Sequence, residues 1–264
     1  MARLALPFLT RKQELLPDIL ILAGKEPRQG TVLCAVEERL AERGLTIRLG
    51  WHDPVSDIFD WPSGLVVQRG VSKEVLTALA ARGGPILNDP SACLRLDDRS
   101  ATLSHLASAG LPVPRHRLCR DWAEVTGLAR SGTVYVKAGG AGRGAGVARV
   151  PGPEDAAPFP GPWHVEVEQP GDGIDRKIYV AGDRVFGLLK RWPRDADAVP
   201  FTPKAAMHDL ARRAGAALGL EIFGIDLVGM DGRFAIVDVN AFPGFRGVTG
   251  AFDAVADYVA ARAR

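Results

Sequence analysis

Apolar positions along the chain alternate between two rhythms. Residues 18–24, DILILAG, are a short apolar run that predicts a buried strand. The following TVLCAVEERLAERG spaces its apolar residues three and four apart and stops at Gly44, which predicts a helix with a glycine C-cap. TIRLG and LVVQRG (65–70) read as two more strands. Ser72 then caps an amphipathic helix, KEVLTALAARGG, and PILND reads as a fourth short strand. Strand–helix alternation of this kind predicts a small parallel α/β layer over residues 1–95.

The rhythm then changes. DRSATLSHLASAG (98–110) predicts a helix closed by Gly110, and LPVPRHRL an extended link, because each proline pushes its predecessor toward extended backbone. A helix near DWAEVTGLARSG, the strand TVYVKAG and the glycine-rich AGGAGRGAGV leading into ARV come next. A proline-rich loop, VPGPEDAAPFPGPW, separates these from strands HVEVEQ, RKIYVAG and RVFGLLKR and the long helix AAMHDLARRAGAALG. FGIDLVGM and FAIVDVN are two further strands joined by a tight turn at MDG, and AFDAVADYVAARAR is a closing helix. The expected units are 1–95, 96–165 and 166–264.

Composition narrows the function classes. A chain of 264 residues with 47% hydrophobic and 24% charged residues is an ordinary globular one. A net charge of +2, with Lys and Arg spread along the chain, does not advertise a nucleic-acid or membrane partner. Cys34, Cys93 and Cys119 stand far apart and suggest a reducing compartment, with no disulfide framework or zinc site. The N-terminus lacks a signal-peptide cleavage pattern and no apolar run approaches the ~20 residues of a membrane span, so a cytoplasmic location is expected.

Three segments carry candidate chemistry. IFGIDLV and FAIVDVNAFPG each place an acid on a strand, and a hairpin joins the two, so Asp226, Asp238 and Asn240 can face one side of a sheet. Two carboxylates and an amide oxygen are hard donors suited to Mg²⁺ that bridges phosphates. Acids among apolar residues on adjacent strands are costly to bury unpaired, which favours a metal over acids that merely end strands. In VYVKAGGAGRGAGV a strand delivers Lys137, and Gly139, Gly140, Gly142, Gly144 and Gly146 let backbone N–H groups close on phosphate oxygens. This loop has neither the GKS/GKT end of a Walker loop nor the helix that a dinucleotide fingerprint needs. In HVEVEQPGDGIDRKIYVAGDRVFGLLKRW a hinge precedes a cationic strand pair. Backbone groups of Glu168 and Gln169 can meet an adenine edge, and Asp175 can accept from ribose hydroxyls. Lys177, Lys190 and Arg191 can meet phosphate or an anionic acceptor. Exposed charges on a hairpin are the alternative for these last residues.

The order of these elements resembles the ATP-grasp superfamily, above all its RimK-type amino-acid ligases. The likeness runs over nearly the whole chain and implies an α/β fold of α+β lobes, the ATP-grasp fold, with an N-terminal parallel α/β pre-grasp domain. LRLDDRSATLSHLASAGLPVP resembles the family's helix that presents a basic residue to the phosphates, here Arg99. VYVKAGGAGRGAGV resembles its phosphate lysine and lid, VEQPGDGIDRKIYVAGDRV its hinge and ribose acid, and GIDLV with VDVNAFPGF its metal strands. VVQRG resembles the strand whose arginine, here Arg69, faces the acceptor. Two departures bear on the acceptor. The ligases usually read E-x-N where this chain has Asp238-Val-Asn240, and the loop PRDADAVPFTP is short. Arg99, RKIYVAG, IFGID and DVNAFPGF also resemble the inositol polyphosphate kinases of the same fold.

The resemblance implies ATP and Mg²⁺, with Mn²⁺ as a substitute, and a small, anionic acceptor; a homodimer is compatible with it. Lys137, Lys177 and Arg191 become the catalytic cations and Arg69, Arg191 and Arg246 the acceptor cations. The leading reading is a carboxylate–amine ligase working through an acyl phosphate. A kinase acting on a hydroxyl is second, and a nucleotide-binding module without turnover is third.

Overall fold

The computed structural model describes residues 18–51, 64–138, 146–191 and 198–264. Its first unit is a four-stranded parallel sheet in the order β2-β1-β3-β4, built from β1 (Ile19–Ala23), β2 (Ile47–Gly50), β3 (Leu65–Arg69) and β4 (Ile86–Leu87). Helices α1 (Val32–Glu42) and α2 (Lys73–Arg82) provide crossovers, and the Ser72 side chain caps α2 by accepting from Val75 N at 3.3 Å. The apolar run of β1 has a direct cause. Ile19 and Ile21 face one core and Leu20 and Leu22 another, so no position in the strand meets water.

The predicted helices of residues 90–129 are α4 (Arg99–Ser108), capped by Asp98, and α5 (Trp122–Ala129), capped by Asp121; a short α3 (Pro90–Arg95), which the sequence pattern did not suggest, precedes them. Between them the expected link differs in part. Its end becomes β5 (His116–Cys119), which pairs antiparallel with β8 (Trp163–Val167) in a sheet ordered β5-β8-β6-β7, with β6 (Val134–Ala138) and β7 (Val147–Val150). Proline at 112 and 114 keeps the link extended, and the strand begins once backbone N–H groups are again available. One face of this sheet, including Val134, Val136 and Val165, packs with Val125 and Ala129 of α5. The other carries Tyr135, Lys137, His164 and Glu166.

The third sheet is antiparallel, β11-β10-β9-β12-β13: β9 (Ile174–Ala181), β10 (Arg184–Arg191), β11 (Val199–Phe201), β12 (Ile222–Met230) and β13 (Arg233–Ala241). Asp231 and Gly232 close the expected tight hairpin, both with positive φ (52° and 81°). Ile178, Ile225, Leu227 and Ile236 pack against α6 (Ala205–Leu218) on one face. On the other, Tyr179, Ala181 and Leu188 join α7 (Ala251–Arg262) and the first sheet in one core. Asn88, fully buried, ties these parts together: its amide donates to Ile222 O (2.6 Å) and accepts from Glu221 N (2.9 Å) and Ile222 N (2.8 Å). Arg39–Asp253 and Arg43–Asp257 pairs join α1 to α7. Among the described residues no helix is long and apolar enough to cross a membrane.

Candidate functional site

Two polar faces meet where the second and third sheets come together. On the third sheet Asp226 lies opposite Lys177 on β9 and Asp238 on β13, and Asn240 lies opposite Gly224. Strict alternation would not produce this. Ile236 faces the core, and Asp238, two residues on, should follow it there. A β-bulge inserts Val237 between the Asp226↔Asp238 and Leu227↔Ile236 pairs. Side chains beyond it change face, so Val239 and Ala241 pack inward while Asp238 and Asn240 point to the cleft. The bulged residue contributes too, because its carbonyl accepts from Arg99 Nη1 (3.2 Å) and Lys137 Nζ (3.3 Å).

Charges alternate across the cleft. Lys177 is paired with Asp226 and lies 3.3 Å from Asp175 Oδ2. Arg99 Nη1 meets Asp238 Oδ1 at 2.8 Å, and Asn240 donates to Asp238 Oδ2 at 3.0 Å. Glu166, buried in β8, accepts from Lys137 (2.5 Å) on Oε1. His164 Nε2 lies 3.0 Å from the same oxygen, and Arg99 4.0 Å. Burial pushes the Asp226 carboxyl up to about 7; the Asp175 charge adds to this and Lys177 opposes it. Burial also pulls on the Lys177 ammonium, but Asp226 and Asp175 outweigh it and hold Lys177 above its ordinary value. The Lys137 ammonium and the His164 imidazole are both pushed down, chiefly by burial. Burial alone would raise Glu166, yet the His164 hydrogen bond and the Lys137 charge keep it below the usual carboxylate range.

The structure thus brings Arg99, Lys137, Asp175, Lys177, Asp226, Asp238 and Asn240 together. Asp175 Oδ1 is buried without a hydrogen-bond partner among the described residues. Glu168 N donates to Thr133 O (2.9 Å), and its carboxylate pairs with Arg149 (3.1 Å) and Tyr135 (3.1 Å). Its carbonyl and the backbone of Gln169 are therefore what remains of the adenine expectation. Gly146 (φ 85°) accepts from Ala138 N at 2.8 Å; Gly139, Gly140, Gly142 and Gly144 lie outside the described residues. Arg191 ends β10, with its side chain outside the described set. Arg69 Nε donates to Phe242 O at 3.0 Å, and both Arg69 and the exposed Arg246 flank Gly244, in the loop that follows Asn240. Phe242 and Phe245 of that loop have positive φ (42° and 49°). Strained backbone of this kind persists where surrounding structure holds it, often at functional sites.

Sequence reasoning passed over Glu166 and His164. The signal was present: in HVEVEQ an acid stands between valines on a strand, the same pattern that singled out Asp226 and Asp238. Among the described residues no three Asp, Glu, His or Cys side chains form a ready-made metal cage. Mg²⁺ rarely uses one; it takes one or two carboxylates and completes its shell with substrate phosphates and water. Asp226, Asp238 and Asn240 fit that donor set.

Three sheets in this arrangement, with a cleft of opposed acids and cations, define the ATP-grasp fold. The RimK domain ATP-grasp protein of Sphaerobacter thermophilus superposes with a TM-score of 0.71 at 23% identity, covering 93% of this chain and 99% of that one. The ATP-grasp ligase PsnB with minimal precursor, Mg and ADP gives 0.73 at 19% identity, over 94% and 97%. Residues 189–261 match the family model of the inositol 1,3,4-trisphosphate 5/6-kinase ATP-grasp domain. A protein named "Probable alpha-L-glutamate ligase" from Xanthomonas campestris pv. campestris is 34% identical over 89 residues, 30% of this chain and 31% of its own length. The matched region thus spans about a third of such curated relatives.

Proposed function

We propose that the chain is an ATP-dependent carboxylate–amine ligase. One observation carries the reading: Asp226, Asp238 and Asn240 confront Lys137 and Arg99 across a cleft in which both cations share the Val237 carbonyl. Asp226, Asp238 and Asn240 would hold Mg²⁺, or Mn²⁺ in its place, which when bound offsets charge on the β- and γ-phosphates. Arg99, Lys137 and Lys177 meet the remaining phosphate oxygens. Asp175 Oδ1, buried and without a hydrogen-bond partner among the described residues, suits a ribose hydroxyl. Glu168 O and the Gln169 backbone take the adenine edge, and residues 139–146 act as the lid.

The reaction then runs in two displacements. A substrate carboxylate oxygen attacks the γ-phosphorus and ADP leaves with the electrons of the broken P–O bond. An amine nitrogen then attacks the acyl carbon, phosphate leaves, and the nitrogen loses a proton. Protein groups form no covalent bond, so positioning and charge carry the rate. Arg69, Arg191 and Arg246 are the cations proposed for an anionic acceptor, since guanidinium grips carboxylate with two parallel hydrogen bonds. Residues 1–95 serve as the acceptor-facing unit, 96–165 as the lid-bearing lobe and 166–264 as the metal-bearing lobe. Full-length similarity to ligase structures supports this over the second reading, a kinase acting on a hydroxyl, which the kinase-type match to residues 189–261 keeps in play.

An ADP-release screen tests it, with amino acids, dipeptides, hydroxy acids and polyols as acceptors, with and without hydroxylamine. A carboxylate that yields a hydroxamate supports the ligase. A stable phosphorylated alcohol, with no hydroxamate from any acid, replaces it with the kinase.

A further inference from the structure

Glu166 holds a position that a phosphate-binding cleft does not obviously tolerate. It is a carboxylate only 3% exposed, placed beside two of the three cations proposed to meet ATP, Lys137 and Arg99, where its charge would repel phosphate. Its contacts suggest a different use. Lys137 and His164 are cross-strand partners, and Glu166 lies two residues beyond His164 on the same face. That ladder converges Lys137 Nζ (2.5 Å), His164 Nε2 (3.0 Å) and Arg99 Nη1 (4.0 Å) on one atom, Glu166 Oε1. Arg99 continues the chain to Asp238 Oδ1 (2.8 Å), so an unbroken line of contacts runs from the second sheet to the proposed metal face on the third. Two cations and two acids balance along it.

We propose that Glu166 is a positioning residue: it fixes Lys137 and Arg99 beside the Val237 carbonyl and supplies the countercharge that a buried ammonium requires. The inference rests on the nucleotide reading above. Lys137 is 13% exposed at its side chain, a place where an ammonium without a countercharge tends to give up its proton. The charged and titratable groups around it are Glu166 and His164 on β8, Arg99 on α4, Asp238 on β13, Tyr135 on β6 and His116 on β5. Of these acids, Glu166 alone touches it. Burial holds the His164 imidazole below its ordinary value, and its Nε2, 3.0 Å from Glu166 Oε1, keeps the carboxylate in place.

Glu166→Gln and Glu166→Asp separate this role from simple packing. The first keeps size and removes charge; the second keeps charge and withdraws it by one methylene. Without nucleotide, acetic anhydride labelling of Lys137, followed by mass spectrometry from about pH 6 to pH 9.5, reads the ammonium directly. Labelling should begin at lower pH in Glu166→Gln than in wild type, with a smaller shift in the same direction for Glu166→Asp. ATP affinity should then fall in Glu166→Gln by about tenfold per pH unit above that point, since the lost proton is the charge ATP needs. If Glu166→Gln does not fold, the Glu166→Asp profile decides. Unchanged Lys137 profiles in the folded variants overturn the proposal, even if ATP binding weakens uniformly with pH, because packing loss alone moves no titration. A labelling shift in a chain whose wild type binds no ATP supports the positioning of Lys137 and refutes the nucleotide reading, so the two ideas fail separately.

Discussion

Lys177 offers a test that needs no knowledge of the acceptor. Replacing it with Met leaves Asp226 and Asp175 facing each other in a buried place without their shared cation. In the wild type burial pushes the Asp226 carboxyl up to about 7, against 3.8 for the ordinary group. A raised carboxyl costs the fold stability, because between those two values the folded state binds a proton that the unfolded state has released. The cost builds as pH rises from about 4 and levels off once the folded carboxyl has ionised, near pH 7 in the wild type. Removing Lys177 removes the group that opposes the shift, so in Lys177→Met ionisation moves higher and the cost keeps growing. The deficit relative to wild type should therefore widen above pH 7 by about 1.4 kcal/mol per pH unit until the variant's own carboxyl ionises. At pH 8.5 that is about 2 kcal/mol, or about 4–8 °C in melting temperature for a chain of this size. Lys177 itself does not blur the result. Its own raised value means that its contribution is fully present below about pH 10 and is lost only at higher pH. Thermal denaturation of both proteins at half-unit steps from pH 6 to 8.5 measures the difference. A melting-temperature gap that stays constant over this range would refute the argument that Lys177 compensates a buried, proton-sensitive carboxyl.

Two further outcomes follow from the site. Asp238→Asn should fold normally, because the Arg99 pair it loses is about a third exposed and contributes about 0–1 kcal/mol. ADP release at saturating Mg²⁺ should nearly vanish, and wild-type turnover would remove Asp238 from the site. Arg69→Ala should weaken the acceptor by about 10- to 150-fold, the equivalent of about 1.5–3 kcal/mol for a charged hydrogen bond. ATP affinity should hardly change, and an isothermal titration in which ATP weakens while the acceptor is spared would move Arg69 to the phosphates.

Local chemistry makes much of this molecule legible along the chain itself. The unbroken apolar run of β1, the Ser72 cap, the Asp231–Gly232 turn and the three-and-four spacing of α6 each depend on residues close in sequence, so pattern alone identifies them. Asp226 and Asp238 are legible for a related reason: a carboxylate among apolar strand residues needs a partner wherever the strand goes. What the chain order conceals is who that partner is. Asp238 shares parity with Ile236, and only the pairing of β13 against β12 reveals that Val237 is an extra residue that turns Asp238 outward. Glu166 stands among valines just as Asp226 stands among apolar neighbours, but its meaning comes from Lys137, 29 positions earlier, and from Arg99, which arrives on a helix from another layer. β5 becomes a strand because β8 offers it an edge, and Arg69 reaches the loop after Asn240 because a buried core brings the first sheet against the third. Side-chain periodicity is a property of a few consecutive residues and can be read along the chain. Register, bulges and the countercharge of a buried ion are set by segments far apart in sequence, and they exist once those segments have packed.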